Sequence, residues 1–289
     1  EALGVVEKDK KRVVMKYDLK AFRRDGFSKE LLTCLTETDK QGRMIQSLIV
    51  NLYRGLVAFD NKAIIGKDLK PIILYKSNQR KPSKESYYDF TRLIDTMSAE
   101  HITPIRENVN KPEILNRAFQ YFSNKEFTDA EIARRISSNF KKTGGEYNVL
   151  SLEGIGDYTE LSHDVQKELN TLEKDSNPIR AIFTVDKLNE GWDVQNLFDI
   201  VRLYDSQQTG GSNNGKVGNA TVTEIQLLGR GARYWPFKYE GEDEYKRKFD
   251  KDWTHDLSVL EELHFHAKNN HRYISELNRG MAQLGLEDF

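Results

Sequence analysis

The strongest constraint on the fold is an alternation of two apolar patterns along the chain. Pro71-Ile72-Ile73-Leu74-Tyr75 is a continuous apolar run bounded by Lys70 and by Lys76-Ser77-Asn78, as a strand covered on both faces would be. Ile45, Leu48, Ile49, Leu52, Leu56 and Phe59 recur instead at helical spacing, which predicts a helix over 44–59 with one buried stripe. Three more helical stripes follow, the first carried by Tyr87, Phe90, Leu93, Ile94 and Met97. The second has Ile114, Leu115, Ala118, Phe119 and Phe122, and the third Ile132, Ala133, Ile136 and Phe140. A turn at Gly144-Gly145 precedes a short strand at 147–150, and Leu161, Val165, Leu169 and Leu172 stripe a further helix. Residues 179–184 and 199–204 read as strands, and so does RVVMKYDL at 11–18. Strands alternating with helices predict an α/β chain with an open parallel sheet and helices on both faces.

Composition narrows the function classes. With 38% hydrophobic and 31% charged residues the chain has the balance of a soluble globular protein, and no eighteen apolar residues run together. The start, EALGVVEKDKKRVV, carries charges where a signal peptide needs an apolar core, so a cytoplasmic protein without membrane contact is expected. A single cysteine, Cys34, excludes an internal disulfide framework and a multi-cysteine zinc site. Lys+Arg 44 against Asp+Glu 45 argues against a chain wrapped over most of its surface in nucleic acid, but allows a local phosphate-binding groove. Three stretches are expected: 1–60 as an incoming strand and linking helix, 61–240 as the main α/β domain, and 241–289 as a mainly helical extension. SQQTGGSNNGKVGNA, at 206–220, is too polar and glycine-rich to pack and reads as a loop.

The chemistry concentrates in Thr223-Glu224-Ile225-Gln226-Leu227-Leu228-Gly229-Arg230-Gly231-Ala232-Arg233. On a helix, Arg230 and Arg233 project from one face with Gln226 one turn before Arg230. Two planar, permanently charged forks and an amide suit a transferring phosphoryl group, and Gly229 and Gly231 let another surface approach. The plainer reading is a capped surface helix, because Thr223 and Gln226 also fit the capping box.

Q-x-x-G-R-x-x-R resembles the last helicase motif of superfamily 2 motors, matched completely by Gln226, Gly229, Arg230 and Arg233. Upstream, TVDKLNEGWDVQN at 184–196 resembles the fifth motif, with Gly191 and Asp193 in its Gly-x-Asp positions, and PIILYKS at 71–77 resembles the fourth. The spellings LNEGWDVQN, LFDIVRLYD and QLLGRGARYWPF, with HAKNNHRYISEL at 266–277, are similar to the restriction (Res) subunit of type III restriction-modification enzymes. The resemblance covers roughly residues 60–289. It implies a RecA-like fold of P-loop NTPase type and the second motor domain of an ATP-dependent DNA translocase that precedes DNA cleavage. By resemblance, Arg230, Arg233 and Gln226 serve catalysis, Gly191, Asp193 and Gly229 the nucleotide, and Lys76, Ser77 and Asn189 the nucleic acid. The implied cofactors are ATP and Mg²⁺, bound mainly by an absent first motor domain. The implied partners are double-stranded DNA, the first RecA-like domain and nuclease domain of the same parent chain, and a modification methyltransferase subunit. The alternatives are another superfamily 2 motor, such as that of a type I restriction enzyme, and a non-catalytic module that binds nucleic acid.

A strand ending at Thr184 and followed by a glycine-containing loop places Asn189, Gly191 and Asp193 at a carboxyl-end crevice. Trp192 reads as a core aromatic before a base-stacking platform, and Lys76 as a solvated strand-end lysine before a phosphate contact. Gly66-Lys67 is followed by Asp68 and lacks the earlier glycine of a phosphate loop, so the chain holds half an ATP site and alone is expected to be inactive. Glu244-Tyr245-Lys246 has nuclease letters without a strand-borne Asp upstream, and His264, His266 and His271 read as surface or partly buried histidines before a metal cluster.

Overall fold

The computed structural model describes residues 19–142, 144–153, 163–185, 188, 194–205 and 217–283. A short helix α1 (Leu19–Arg24) leads into strand β1 (Glu30–Thr36), and then come α2 (Lys40–Asp60), α3 (Lys62–Ile65) and β2 (Ile72–Lys76). Four helices follow, α4 (Arg80–Thr96), α5 (Ala99–Glu107), α6 (Glu113–Asn124) and α7 (Asp129–Phe140), and after them β3 (Val149–Ser151). The remainder runs α8 (His163–Leu169), β4 (Ala181–Thr184), β5 (Leu197–Arg202), α9 (Asn219–Gly231), a 3₁₀ turn at Asp256–Glu261, β6 (Glu262–Lys268) and α10 (His271–Gln283).

The six strands form one sheet in the order β1-β6-β5-β2-β4-β3, and every pairing is parallel. Side chains alternate between two cores, as period-two geometry requires. Ile73 and Tyr75 of β2 join Phe183 in a core covered by α2 and α4–α7. Ile72 and Leu74 join Ile182 and Ile200 in the opposite core, under α8, α9 and α10. This is the open parallel α/β sheet with helices on both faces that the alternating patterns predict. The sheet draws strands from all three expected stretches, since β1 precedes residue 61 and β6 follows residue 240. No helix among the described residues is long and apolar enough to cross a membrane. The expected strand at 11–18 and most of the expected loop, 206–216, lie outside the described residues.

The pairing of β2 with β5 shifts register between Ile72 and Ile73, so that both Phe198 and Asp199 turn toward α2. Asp199 is fully buried there and pairs with the equally buried Arg54 of α2. Arg54 Nη2 lies 2.8 Å from His264 Nδ1, and its Nε donates to the Val259 carbonyl at 3.0 Å. His266 Nε2 is 3.0 Å from Asp199 Oδ1, His264 Nε2 is 3.3 Å from Glu262 Oε2, and Arg117 Nη1 donates to Glu262 Oε1 at 2.7 Å. His264 and His266 are therefore core residues of a strand and not the surface or partly buried side chains expected, because arginines from two helices neutralise the acids beside them. His271 sits apart, at the start of α10 and exposed.

Candidate functional site

Helix α9 carries the arginine motif and is held by two buried carboxylates. Glu224 accepts from Arg202 Nε at 3.1 Å, from Tyr273 OH at 2.7 Å and from Tyr204 OH. Glu276 of α10 accepts from the Gly218 N–H at 2.7 Å and from Thr221 Oγ1 at 3.1 Å, at the helix start. That start corrects the capping reading: the N-cap is Gly218, Thr223 lies in the second turn, and its hydroxyl donates to the Asn219 carbonyl. Gln226 is left exposed, with no cap to serve.

Arg230 ends the helix half-exposed, and Arg233 stands exposed just past the Ala232 C-cap, so the two arginines leave by the exit of α9 and not from one helical face. Arg230 Nη1 donates to the Leu188 carbonyl at 3.1 Å and has no carboxylate partner among the described residues. The two glycines differ in their surroundings. A Cβ on Gly229 would meet nothing within 4 Å, whereas one on Gly231 would lie 3.1 Å from Ile200 and Leu263 of the sheet. Gly231 thus lets the helix end lie on the sheet, and Gly229 keeps an open face toward solvent.

This corner is the amino-terminal edge of the sheet, where Lys29, the residue before β1, ties the pieces together. Its ammonium donates to the carbonyls of Gln195, Leu197 and Gly231 at 2.6, 2.8 and 3.1 Å. Burial, and then the charge of Arg54, push the Lys29 ammonium well below the usual lysine range, against the opposing pull of Glu173 and Asp199. Sequence reasoning missed this residue, since a lone lysine before an unrecognised strand carries no pattern. Asn189, Gly191, Asp193 and Trp192 lie outside the described residues.

Lys76 and Ser77 occupy the opposite, carboxyl-terminal edge. At 4% and 2% exposed they are buried, which corrects the reading of Lys76 as a solvated strand end. The Ser77 N–H donates to the Thr184 carbonyl at the tip of β4. The hydroxyls of Ser77, Thr184 and Ser83 are buried without a hydrogen-bond partner among the described residues, and Ser83 lies in the first turn of α4. Beside them, the buried Glu153 accepts from the Val185 N–H at 2.9 Å, with Arg80 Nε 3.7 Å from its other oxygen. Buried unspent donors at a helix start suit phosphate oxygens. The structure therefore separates the sequence candidates by roughly the length of a strand, on the order of 15–20 Å. Arginines gather at one edge and the lysine–serine pair at the other. Among the described residues no group of three or more His, Cys, Asp or Glu side chains is arranged to hold a metal ion.

Comparison with known proteins gives sequence relatives over most of the chain. The family described as HI_1054_N, N-terminal region, matches residues 220–288, from α9 through α10. A probable type III restriction-modification enzyme HindVIP Res subunit of Haemophilus influenzae is 32% identical over 229 residues, covering 74% of this chain and 43% of its own length. An uncharacterized protein of the same organism is 49% identical over 68 residues, 23% of this chain and 15% of its own length. The chain thus spans less than half the length of these relatives. An all-parallel sheet with the arginine motif intact at the end of α9, and three quarters of the chain aligned with a Res subunit, place this protein in the Res-like family of type III restriction-modification enzymes.

Proposed function

We propose that the chain is the second RecA-like motor domain of an ATP-dependent type III restriction enzyme, with its sheet running from β1 to β6. The observation that carries this reading is the placement of Arg230 and Arg233 at the exit of α9, beside Leu188, where a domain closing on this edge meets two guanidiniums. Their chemistry fits half of an ATP site. Arginine supplies charge and planar donors to phosphate oxygens, and the P-loop and Mg²⁺ ligands belong to the first motor domain. ATP with Mg²⁺, when bound there, supplies the energy of translocation. Arg233 and Arg230 orient and neutralise its outer phosphates, and the open face at Gly229 admits the partner domain. Gly191 and Asp193 serve the nucleotide, while Lys76 and Ser77, at the carboxyl-terminal edge, and Asn189 contact the DNA backbone. Cleavage by a nuclease domain of the same parent chain, and site recognition by a methyltransferase subunit, complete the activity in the cytoplasm.

The test is Arg233→Ala in the full-length parent enzyme. ATP turnover falls by about 10³-fold or more, nucleotide affinity changes far less, and cleavage of a two-site DNA falls with turnover. Arg233→Lys rescues little, because an ammonium cannot reproduce the planar fork. Near-normal turnover of a folded Arg233→Ala enzyme removes the assignment.

A further inference from the structure

Lys29 is an unusual charge to bury. It is 1% exposed, and among the described residues no carboxylate pairs with its nitrogen. All three ammonium protons go to main-chain carbonyls, and the ring of Phe198 lies 4.3 Å from Nζ. Taking an ammonium out of water without a countercharge is costly, and a methionine of similar length would pack without that cost. The three carbonyls show what the charge achieves. Gln195 belongs to the end of the segment that resembles the fifth motif and Leu197 begins β5, whereas Gly231 ends the helix that carries the sixth. One nitrogen therefore fixes two motif-bearing segments against each other, at the negative end of the α9 dipole. The neighbouring backbone completes the clamp. The Lys29 N–H donates to the Ala232 carbonyl at 2.6 Å, Ser28 pairs with Arg233 in an antiparallel bridge, and Arg247 Nη1 holds the Ser28 carbonyl at 2.8 Å. Every residue from Gly231 to Arg233 is held from the side of residues 28–29.

We propose that Lys29 is a positioning residue for the arginine pair. By locking the exit of α9 onto the start of β5, it sets where Arg230 and Arg233 meet the nucleotide. This inference rests on the reading that Arg233 serves ATP turnover. Arg230 reinforces the lock from the other side through its bond to the Leu188 carbonyl.

A double-mutant cycle in the full-length enzyme tests it. Lys29→Met lowers kcat for DNA-stimulated ATP turnover on the order of 10- to 100-fold, the scale of a misplaced catalytic group, with KM for ATP changed much less. In an Arg233→Ala background the same change adds little further loss, because the residue it positions is gone. Lys29→Gln keeps two N–H donors and falls between the two, and it carries the same cycle should the methionine variant not fold by circular dichroism. A folded Lys29 variant with normal kcat, or losses that multiply independently of Arg233, overturns the proposal. Normal turnover in Arg233→Ala alone removes instead the functional reading, and the role of Lys29 with it.

Discussion

Arg54 shows how single residues decide whether β6 can sit in the core. Its guanidinium faces Asp199 and the Nδ1 atom of His264, so His264 accepts at Nδ1 and offers its Nε2–H toward Glu262. Burial first, and then the Arg54 charge, lower the His264 pKa despite the pull of Glu262. Burial alone would raise Glu262, but His264 and Arg117 outweigh it and hold the carboxyl down at about 2. Both folded-state values lie below those of an unfolded chain, about 6.5 for His and about 4.3 for Glu. The contribution of these two groups is therefore complete at neutral pH. It declines as pH falls through about 6.5, where only the unfolded chain takes up the histidine proton, and declines further from about 5 toward 2 as Glu262 protonates on unfolding. Thermal melts between pH 4 and 8 should show this monotonic acid-side loss. Arg54→Met leaves Asp199 buried with His266 alone and costs about 3–5 kcal/mol. It also flattens the melt curve between pH 7 and 5, since His264 can then charge beside two acids. An Arg54→Met chain as stable as the parent, or with an unchanged pH profile, contradicts this account.

At the scale of elements, α9 makes opposite predictions for its two glycines. Gly229→Ala fills open space in a helix interior and should stabilise the isolated chain by about 0.5–1 kcal/mol in urea denaturation. If that face receives the partner domain as proposed, the same change should slow ATP turnover in the full-length enzyme. Gly231→Ala presses on Ile200, Leu263 and Leu197 and should destabilise by about 1–3 kcal/mol. Equal effects at both positions would mean that the helix does not lie on the sheet as described. Elements whose apolar residues alone set their burial were legible in the sequence. Helix α2 extends the 44–59 stripe by a few residues at its start but leaves Phe59, the last residue of that stripe, exposed at the helix end. Strand β2 matches the apolar run within a residue, α6 and α7 bury the marked stripes, and α4 buries Phe90, Leu93 and Ile94 of its own. The misses have a common cause. Strand β6 reads Glu-Leu-His-Phe-His-Ala-Lys, and its polar alternate positions look solvated until arginines from α2 and α6 are placed beside them. Helix α5 was overlooked because only Ile102 and Ile105 are buried along it and Pro104 lies inside it. At the site, the arginine motif was readable as a string of letters. That Arg233 stands beyond the helix end, and that Lys29 holds that end, depends on β1, which no periodicity announced.

For the molecule as a whole, the near-neutral charge and the two separate edges limit what the isolated chain does. It should release no phosphate from ATP above background even with duplex DNA, since its arginines face no bound nucleotide. Its DNA binding should be weak, indifferent to sequence and steeply salt-dependent, as a local phosphate-contacting groove allows. Anisotropy titrations at several salt concentrations check this, and tight, sequence-selective binding at physiological salt would favour a recognition module over a motor. The sheet order has one more consequence, for the chain as it leaves the ribosome. Among the described residues β1 lies at the sheet edge and pairs with β6 alone, Glu30 opposite Glu262, so the second strand-forming partner is made more than two hundred residues after the first. At about 5–20 residues per second, the first strand waits tens of seconds for its neighbour. Until then β5 also lacks β6, and the segment Ser28–Lys29 has no completed sheet beside it. The clamp on α9 thus forms long after β1 is made, and the arginine corner takes its final form only when β6 closes the edge.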